Sequence, residues 1–155
     1  MKIVTRVFIL LLLSAGFIYA DAFKAVYDLT TGDSKKIEKH LISSIEATAK
    51  HYKKEQKALK VIVVISGDAY KYFINDLKAS PYKEDKDAIE AQAKFRDRLQ
   101  GLHESFGVTF NMCSVGMKAR KIDKNTLYKY VNAEVMKSVY LIEAQNEGYA
   151  YMPVH

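Results

Sequence analysis

The hydrophobic positions of this chain switch between two rhythms. Phe23 to Leu29 alternates apolar and polar at first and then runs Ala-Val-Tyr, which predicts a first strand. Thr30-Thr31-Gly32-Asp33 is a polar loop, and Ser34 is the predicted N-cap of a helix. In that helix Ile37, Leu41, Ile45, Ala49 and Tyr52 recur every three or four residues. Lys60 to Ser66 is the clearest strand, with five β-branched residues in a row and no alternation. Such a run predicts a strand covered on both faces, as in a parallel sheet between helix layers. Gly67-Asp68 is the turn at its end. Tyr70, Phe73, Ile74 and Leu77 then predict a short helix before the break at Ser80-Pro81.

The longest helical pattern is Lys86 to Phe106, with Ala88, Ala91, Phe95, Leu99, Leu102 and Phe106 on one stripe and Gly107 closing it. Val108-Thr109-Phe110 predicts a short buried strand, and Ser114 to Ile122 suits a helical turn. Beyond it, Asp123 is the predicted cap of a short helix through Tyr130, and Ala133 to Met136 is a predicted fourth strand. Ser138 is the predicted cap of a helix through Glu147, and Tyr149 to Met152 a last edge strand. Strands alternating with helices predict a three-layer α/β/α sandwich with a mostly parallel sheet of about five strands. In such a sheet ligands bind outside the carboxyl ends of the strands. The Gly32-Asp33, Gly67-Asp68 and Asn111-to-Ser114 loops are therefore predicted to share one edge.

The N-terminus has a different character. Lys2 and Arg6 precede a nearly continuous apolar stretch from Val7 to Ile18, and small residues come after it. This is the pattern of a signal peptide over residues 1–22, cut after Ala20 or Ala22, and the stretch is shorter than the roughly 20 residues a membrane span needs. An uncleaved N-terminal anchor is the alternative. Residues 23–155 then fit one domain. The chain is basic, at +6, and stays so without Lys2 and Arg6. The surplus is spread along the chain as on an ordinary solvated surface, and export argues against nucleic acid as a partner. His40 and His51 lie about three helical turns apart, too far to bind one metal, and no nucleotide loop, Ser-His-Asp set or CxxC occurs. The residues call for no cofactor.

One cysteine, Cys113, stands in the whole chain. An exported protein meets an oxidising compartment, where a lone thiol stands out as reactive or intermolecular. Falling just past a strand and before a helical turn, with Lys118, Arg120 and Lys121 nearby, Cys113 is placed for a thiolate, the form that reacts. The bland alternative is a small core hydrophobe.

With these residues in place, the chain resembles the DsrE/DsrF-like family, the sulfur-relay fold of TusD and YchN-type proteins, in an exported form. The resemblance rests on a first strand leading to a Thr-Gly-Asp loop, a hydrophobic second strand ending in Ser66-Gly67, a Gly-Val strand leading to Cys113, and the ending Ala144-Gln145-Asn146-Glu147-Gly148-Tyr149-Ala150-Tyr151-Met152-Pro153. It implies a five-stranded α/β sandwich, assembly with itself as trimers or hexamers, and a cysteine after the third strand that carries sulfur as a persulfide. That position matches Cys113. The resulting expectation is a periplasmic sulfur carrier or sulfurtransferase-like protein, with donor and acceptor proteins or small sulfur anions as partners. Asn111, Ser114, Gly32, Asp33, Gly67, Lys118 and Arg120 are its expected supporting residues. Tyr128, Tyr130, Tyr140, Tyr149 and Tyr151 are the expected source of interface area. A binding module with an inert cysteine is the alternative; a thiol redox sensor is weaker, for want of a resolving cysteine.

Overall fold

The computed structural model describes residues 22–155. The proposed signal peptide lies almost wholly outside the described residues. The first strand, β1 (Phe23–Leu29), leads into one helical run made of α1 (Ser34–Lys36), a π-helical stretch (Ile37–Ile42) and α2 (Ser43–Lys54). Next come β2 (Leu59–Ile65), a 3-10 turn (Ala69–Phe73), α3 (Lys86–Phe106), β3 (Thr109–Met112) and α4 (Ser114–Ala119). A second 3-10 turn (Lys124–Thr126), β4 (Val131–Asn132), α5 (Lys137–Asn146) and β5 (Ala150–Val154) complete the chain.

The five strands form one sheet in the order β4-β3-β2-β1-β5, and every pairing is parallel. The continuous apolar run of β2 has its reason here: β2 sits in the middle of the sheet. On one face Tyr27, Leu29, Val63, Ile65 and Phe110 join the main core with Ile45, Phe95 and Leu99 from the helices. The other face is thinner. There Val26 and Val64 pack on Ala144 of α5, with Ile62, Tyr140 and Leu141 around them. Among the described residues no helix is long and apolar enough to cross a membrane.

Several sequence expectations shift. The first cap is Asp33, whose carboxylate accepts from the N–H groups of Lys35 and Lys36; Ser34 already lies inside the helix. The predicted helices over Tyr70–Leu77 and Asp123–Tyr130 shrink to the two 3-10 turns. The fourth strand is Val131–Asn132 rather than Ala133–Met136, because the latter segment has other uses for its backbone. The Val135 carbonyl accepts from the Ser114 N–H at 3.0 Å, and the N–H groups of Glu134 and Val135 donate to the Tyr140 hydroxyl at 3.0 and 3.3 Å. The last helix begins at Lys137 after Met136, so Ser138 is not its cap.

Candidate functional site

The β3 ladder continues one residue beyond the strand, where the Cys113 N–H donates to the Ile65 carbonyl at 2.9 Å. Cys113 then turns the chain into α4, with an extended backbone at the N-cap position. The connections leaving β3 and β4 depart to opposite sides of the sheet. Met117 of α4 belongs to the main core, whereas Ala144 of α5 belongs to the thinner layer. Divergence of neighbouring connections opens a crevice at the strands' carboxyl ends. Cys113 lies at that point, with the starts of both α4 and α5 beside its sulfur.

The electrostatics of the thiol reflect this placement. Cys113 is 9% exposed, and burial alone pushes its thiol up. Opposing that are the backbone N–H groups of Gly116, Lys137 and Val115 and the polar phenol of Tyr70 beside the thiol, which together hold it below its ordinary value. Cys113 makes no tight side-chain cap with its own helix. The N–H groups therefore form a looser shell of donors that an anionic sulfur satisfies better than a neutral thiol. Neither Cys113 nor Met136 caps its helix with a side-chain oxygen; the Ser114 N–H goes to the Val135 carbonyl, and the Val115, Gly116 and Lys137 N–H groups remain for the sulfur.

Tyr70 is the second element of the site. Its hydroxyl donates to the Cys113 carbonyl at 3.0 Å. Burial, and after it the hydrogen bond to Cys113, holds the Tyr70 phenol well above its ordinary value, so it stays a protonated donor. Gly116 makes room for it, because a Cβ at that position would stand 2.1 Å from the Tyr70 oxygen. Arg120 lies over the Tyr70 ring, 5.0 Å from its centroid, and reaches Asp68 at 3.4 Å.

Of the residues expected to support Cys113, few do so directly. Ser114 is buried beside it, but its N–H goes to Val135. Arg120 acts through Tyr70, and Lys118 is exposed on α4. Asn111 pairs with Asn132 across β3 and β4 at 3.3 Å. Asp33 is a helix cap, and the Gly32 carbonyl accepts the hydroxyl of Tyr72. Gly67 joins two loops: at φ +62 its Cβ would stand 2.4 Å from the Thr30 carbonyl, which accepts from the Asp68 N–H at 2.9 Å. A cavity of about 480 Å³ lined by Gly32, Asp68, Lys71, Tyr82 and Asp85 opens on the same edge. Tyr70, Gly116 and Lys137 were not expected. Only Gly116 carried a sequence signal, as a glycine inside a short helical pattern where the backbone is closely approached.

Of the five tyrosines expected at an interface, Tyr128 is buried and stacks on Tyr130, with ring centroids 5.4 Å apart. Tyr151 is exposed, at 42%.

Known proteins resemble this chain in sequence and in fold. An uncharacterized protein of Aquifex aeolicus (strain VF5) is 32% identical over 152 residues, which is 98% of this chain but 65% of that protein. The structure of MTH1491, a protein of unknown function from Methanobacterium thermoautotrophicum, superposes with a TM-score of 0.59 at 18% identity. It covers 84% of this chain and 98% of that one. The ychN protein from E. coli gives a TM-score of 0.49 at 14% identity, over 84% of this chain and 98% of its own. Residues 24–154, from the second residue of β1 to the last of β5, match the DsrE/DsrF-like family, and the chain belongs to that family.

Proposed function

We propose that this protein is a sulfur carrier, holding sulfane sulfur as a persulfide on Cys113. The observation that carries the reading is the placement of Cys113: it stands at the N-cap of α4 where the β3 ladder ends, and the Ser114 N–H bonded to the Val135 carbonyl brings the start of α5 beside it, so that N–H groups from two helix starts favour the thiolate. The thiolate attacks the outer sulfur of a donor persulfide, R–S–SH. A new S–S bond forms on Cys113, the donor's S–S bond breaks, and the donor leaves as R–S⁻ with the bonding pair. The proton of the transferred sulfur stays on the new persulfide or passes to water. An acceptor thiolate reverses the exchange and frees Cys113, so no external oxidant or reductant is required. The same donors that favour the thiolate suit the persulfide anion one atom further out.

Membership of the DsrE/DsrF-like family supports the relay reading; the periplasmic location we propose rests on the sequence pattern of residues 1–22. Self-assembly belongs to the same proposal. The test is the mass of protein purified from its own compartment without reductant. A gain of about 32 Da, one sulfur atom, removable by dithiothreitol, is expected. The low exposure of Cys113 favours a second reading, a binding module with an inert thiol. Absence of the adduct, together with alkylation only after denaturation, decides for that alternative.

A further inference from the structure

Asp28 is a buried carboxylate, 3% exposed, on a strand whose neighbours Val26, Tyr27 and Leu29 are all apolar. A charge there is expensive unless it is paired. Its Oδ1 lies 2.9 Å from the Lys137 ammonium, and its Oδ2 accepts the Tyr151 hydroxyl at 2.8 Å. Lys137 is the first residue of α5, two residues after Val135, whose carbonyl accepts the Ser114 N–H at 3.0 Å; α5 therefore starts beside Cys113, with the Lys137 N–H toward its sulfur. One residue is thus held at both ends, its side chain on β1 and its amide at the sulfur. With Asp28 buried and Lys137 about a third exposed, the pair adds little stability over apolar residues of similar size; its use here is to fix where the lysine stands. Without a side-chain cap at Met136, this pair and the Tyr140 hydroxyl under Glu134 and Val135 fasten the start of α5.

We propose that Asp28 is a positioning residue for Cys113: by holding the Lys137 ammonium it keeps the first turn of α5, and with it the Lys137 N–H, against the sulfur. The inference rests on the reading of Cys113 as a sulfur carrier and adds a residue two strands away from it. The other titratable and charged groups on the elements packed beside the sulfur are Tyr70, Arg120 over its ring with Asp68, Tyr82 beside Arg120, and the exposed Lys118 of α4 and Lys121 just after it. None of them is fastened by Asp28 in the way Lys137 is.

The experiment is the pH dependence of Cys113 alkylation by iodoacetamide, with thiolate absorbance monitored in parallel, in the full chain carrying Asp28→Asn. Loss of a nearby negative charge, acting as charge alone, lowers the titration midpoint. Loss of positioning raises it. The expected result is a rise of about half a pH unit or more, equivalent to about threefold less thiolate below the midpoint. Lys137→Arg, which keeps the pair, is expected to stay near wild type. A fall in the midpoint of the Asp28→Asn protein, or no change, overturns the proposal.

Far-UV circular dichroism checks that the variant folds. If it does not, the doubly neutral Asp28→Asn, Lys137→Met protein takes its place, in which the two charge effects oppose each other. A rise supports positioning there, and an unchanged or lowered midpoint overturns it. Loading of wild type from glutathione persulfide is measured separately. Failure to load sinks the carrier reading while leaving the midpoint test to judge Asp28.

Discussion

The loops after β1 and β3 end at the same edge of the sheet and begin their helices with the same backbone device. Asp33 and Cys113 both stand at an N-cap with extended backbone, at ψ 110 and ψ 111. Their side chains then part ways. The Asp33 carboxylate takes two N–H groups of its own helix, and the start of α1 is satisfied. At Cys113 a soft, weakly accepting sulfur occupies the equivalent place, so the Val115 and Gly116 N–H groups of its helix are left to an anion while the Ser114 N–H goes to Val135. A second helix start, that of α5, is brought to the same atom, and a phenol locks the carbonyl beside it. One loop spends its helix N-terminus on folding; the other leaves it for an anion.

Removing the sulfur breaks the comparison most severely. Cys113→Ser takes away the soft nucleophile while keeping the size, and it is expected to abolish both iodoacetamide labelling and sulfur loading. Mass spectrometry of protein treated with glutathione persulfide reads this directly. A Cys113→Ser protein that still gains sulfur would move the carrier site to another group. The fold is expected to persist, with an unchanged far-UV spectrum.

Gly116→Ala comes next. The added methyl would meet the Tyr70 oxygen at 2.1 Å and the ring carbon bearing it at 2.9 Å, so the phenol must leave the Cys113 carbonyl. Overpacking of this kind costs typically about 1–3 kcal/mol. Denaturant unfolding should show the loss, and the alkylation midpoint of Cys113 should rise as the polar phenol moves away from the thiol. An alanine variant as stable as wild type, with an unshifted midpoint, would remove Tyr70 from the site.

The opposite loop supplies the control. Asp33→Ala is expected to cost about 1 kcal/mol, the usual loss for a helix cap, and to leave Cys113 alkylation as it was. The turn after β2 lies between the two loops: Gly67 packs on the Thr30 carbonyl, and Tyr70, three residues on, reaches the Cys113 carbonyl. A change in thiol reactivity would mean that this junction couples them and that their roles are not separate. Chemical denaturation and the alkylation rate, measured on one sample, settle both points.

The frame of the fold was legible because its signals are local. The unbroken β-branched run of β2 marks a buried central strand, and the stripe from Ala88 to Leu102 marks α3; both are satisfied by the nearest layer. Cys113 was legible for the same reason, as a residue between a strand and a helical turn. Its partners were not. Tyr70 comes from the turn after β2 and Lys137 from the start of α5, and nothing local distinguishes Tyr70 from Tyr72, which serves the Gly32 carbonyl instead. The misplaced fourth strand has a related cause. Ala133 to Met136 has strand-like composition, but its backbone groups go to Ser114 and Tyr140, and only the assembled crevice reveals that. Asp33 and Gly32 looked like site residues because a polar loop at a strand's carboxyl end serves a helix cap as readily as a ligand.

The smallest expected effect is a dependence of stability on pH that Cys113 confers. Burial raises the Cys113 thiol, but the Gly116, Lys137 and Val115 amides and the Tyr70 hydroxyl outweigh it, leaving the folded value below that of the unfolded chain. A group depressed on folding stabilises the native state fully above its unfolded value, about 8.5 for a thiol, and loses that contribution as pH falls through the folded value. The stability of wild type minus that of Cys113→Ser should therefore increase with pH across this window and level off above about 8.5. Each tenfold difference in thiol acidity is worth about 1.4 kcal/mol, so the slope is measurable by urea unfolding at a series of pH values under reductant. A flat difference would mean that the donors do not distinguish thiolate from thiol. A difference that shrinks as pH rises would mean that burial wins at Cys113, and the sulfur would then resemble a core side chain more than the open counterpart of Asp33.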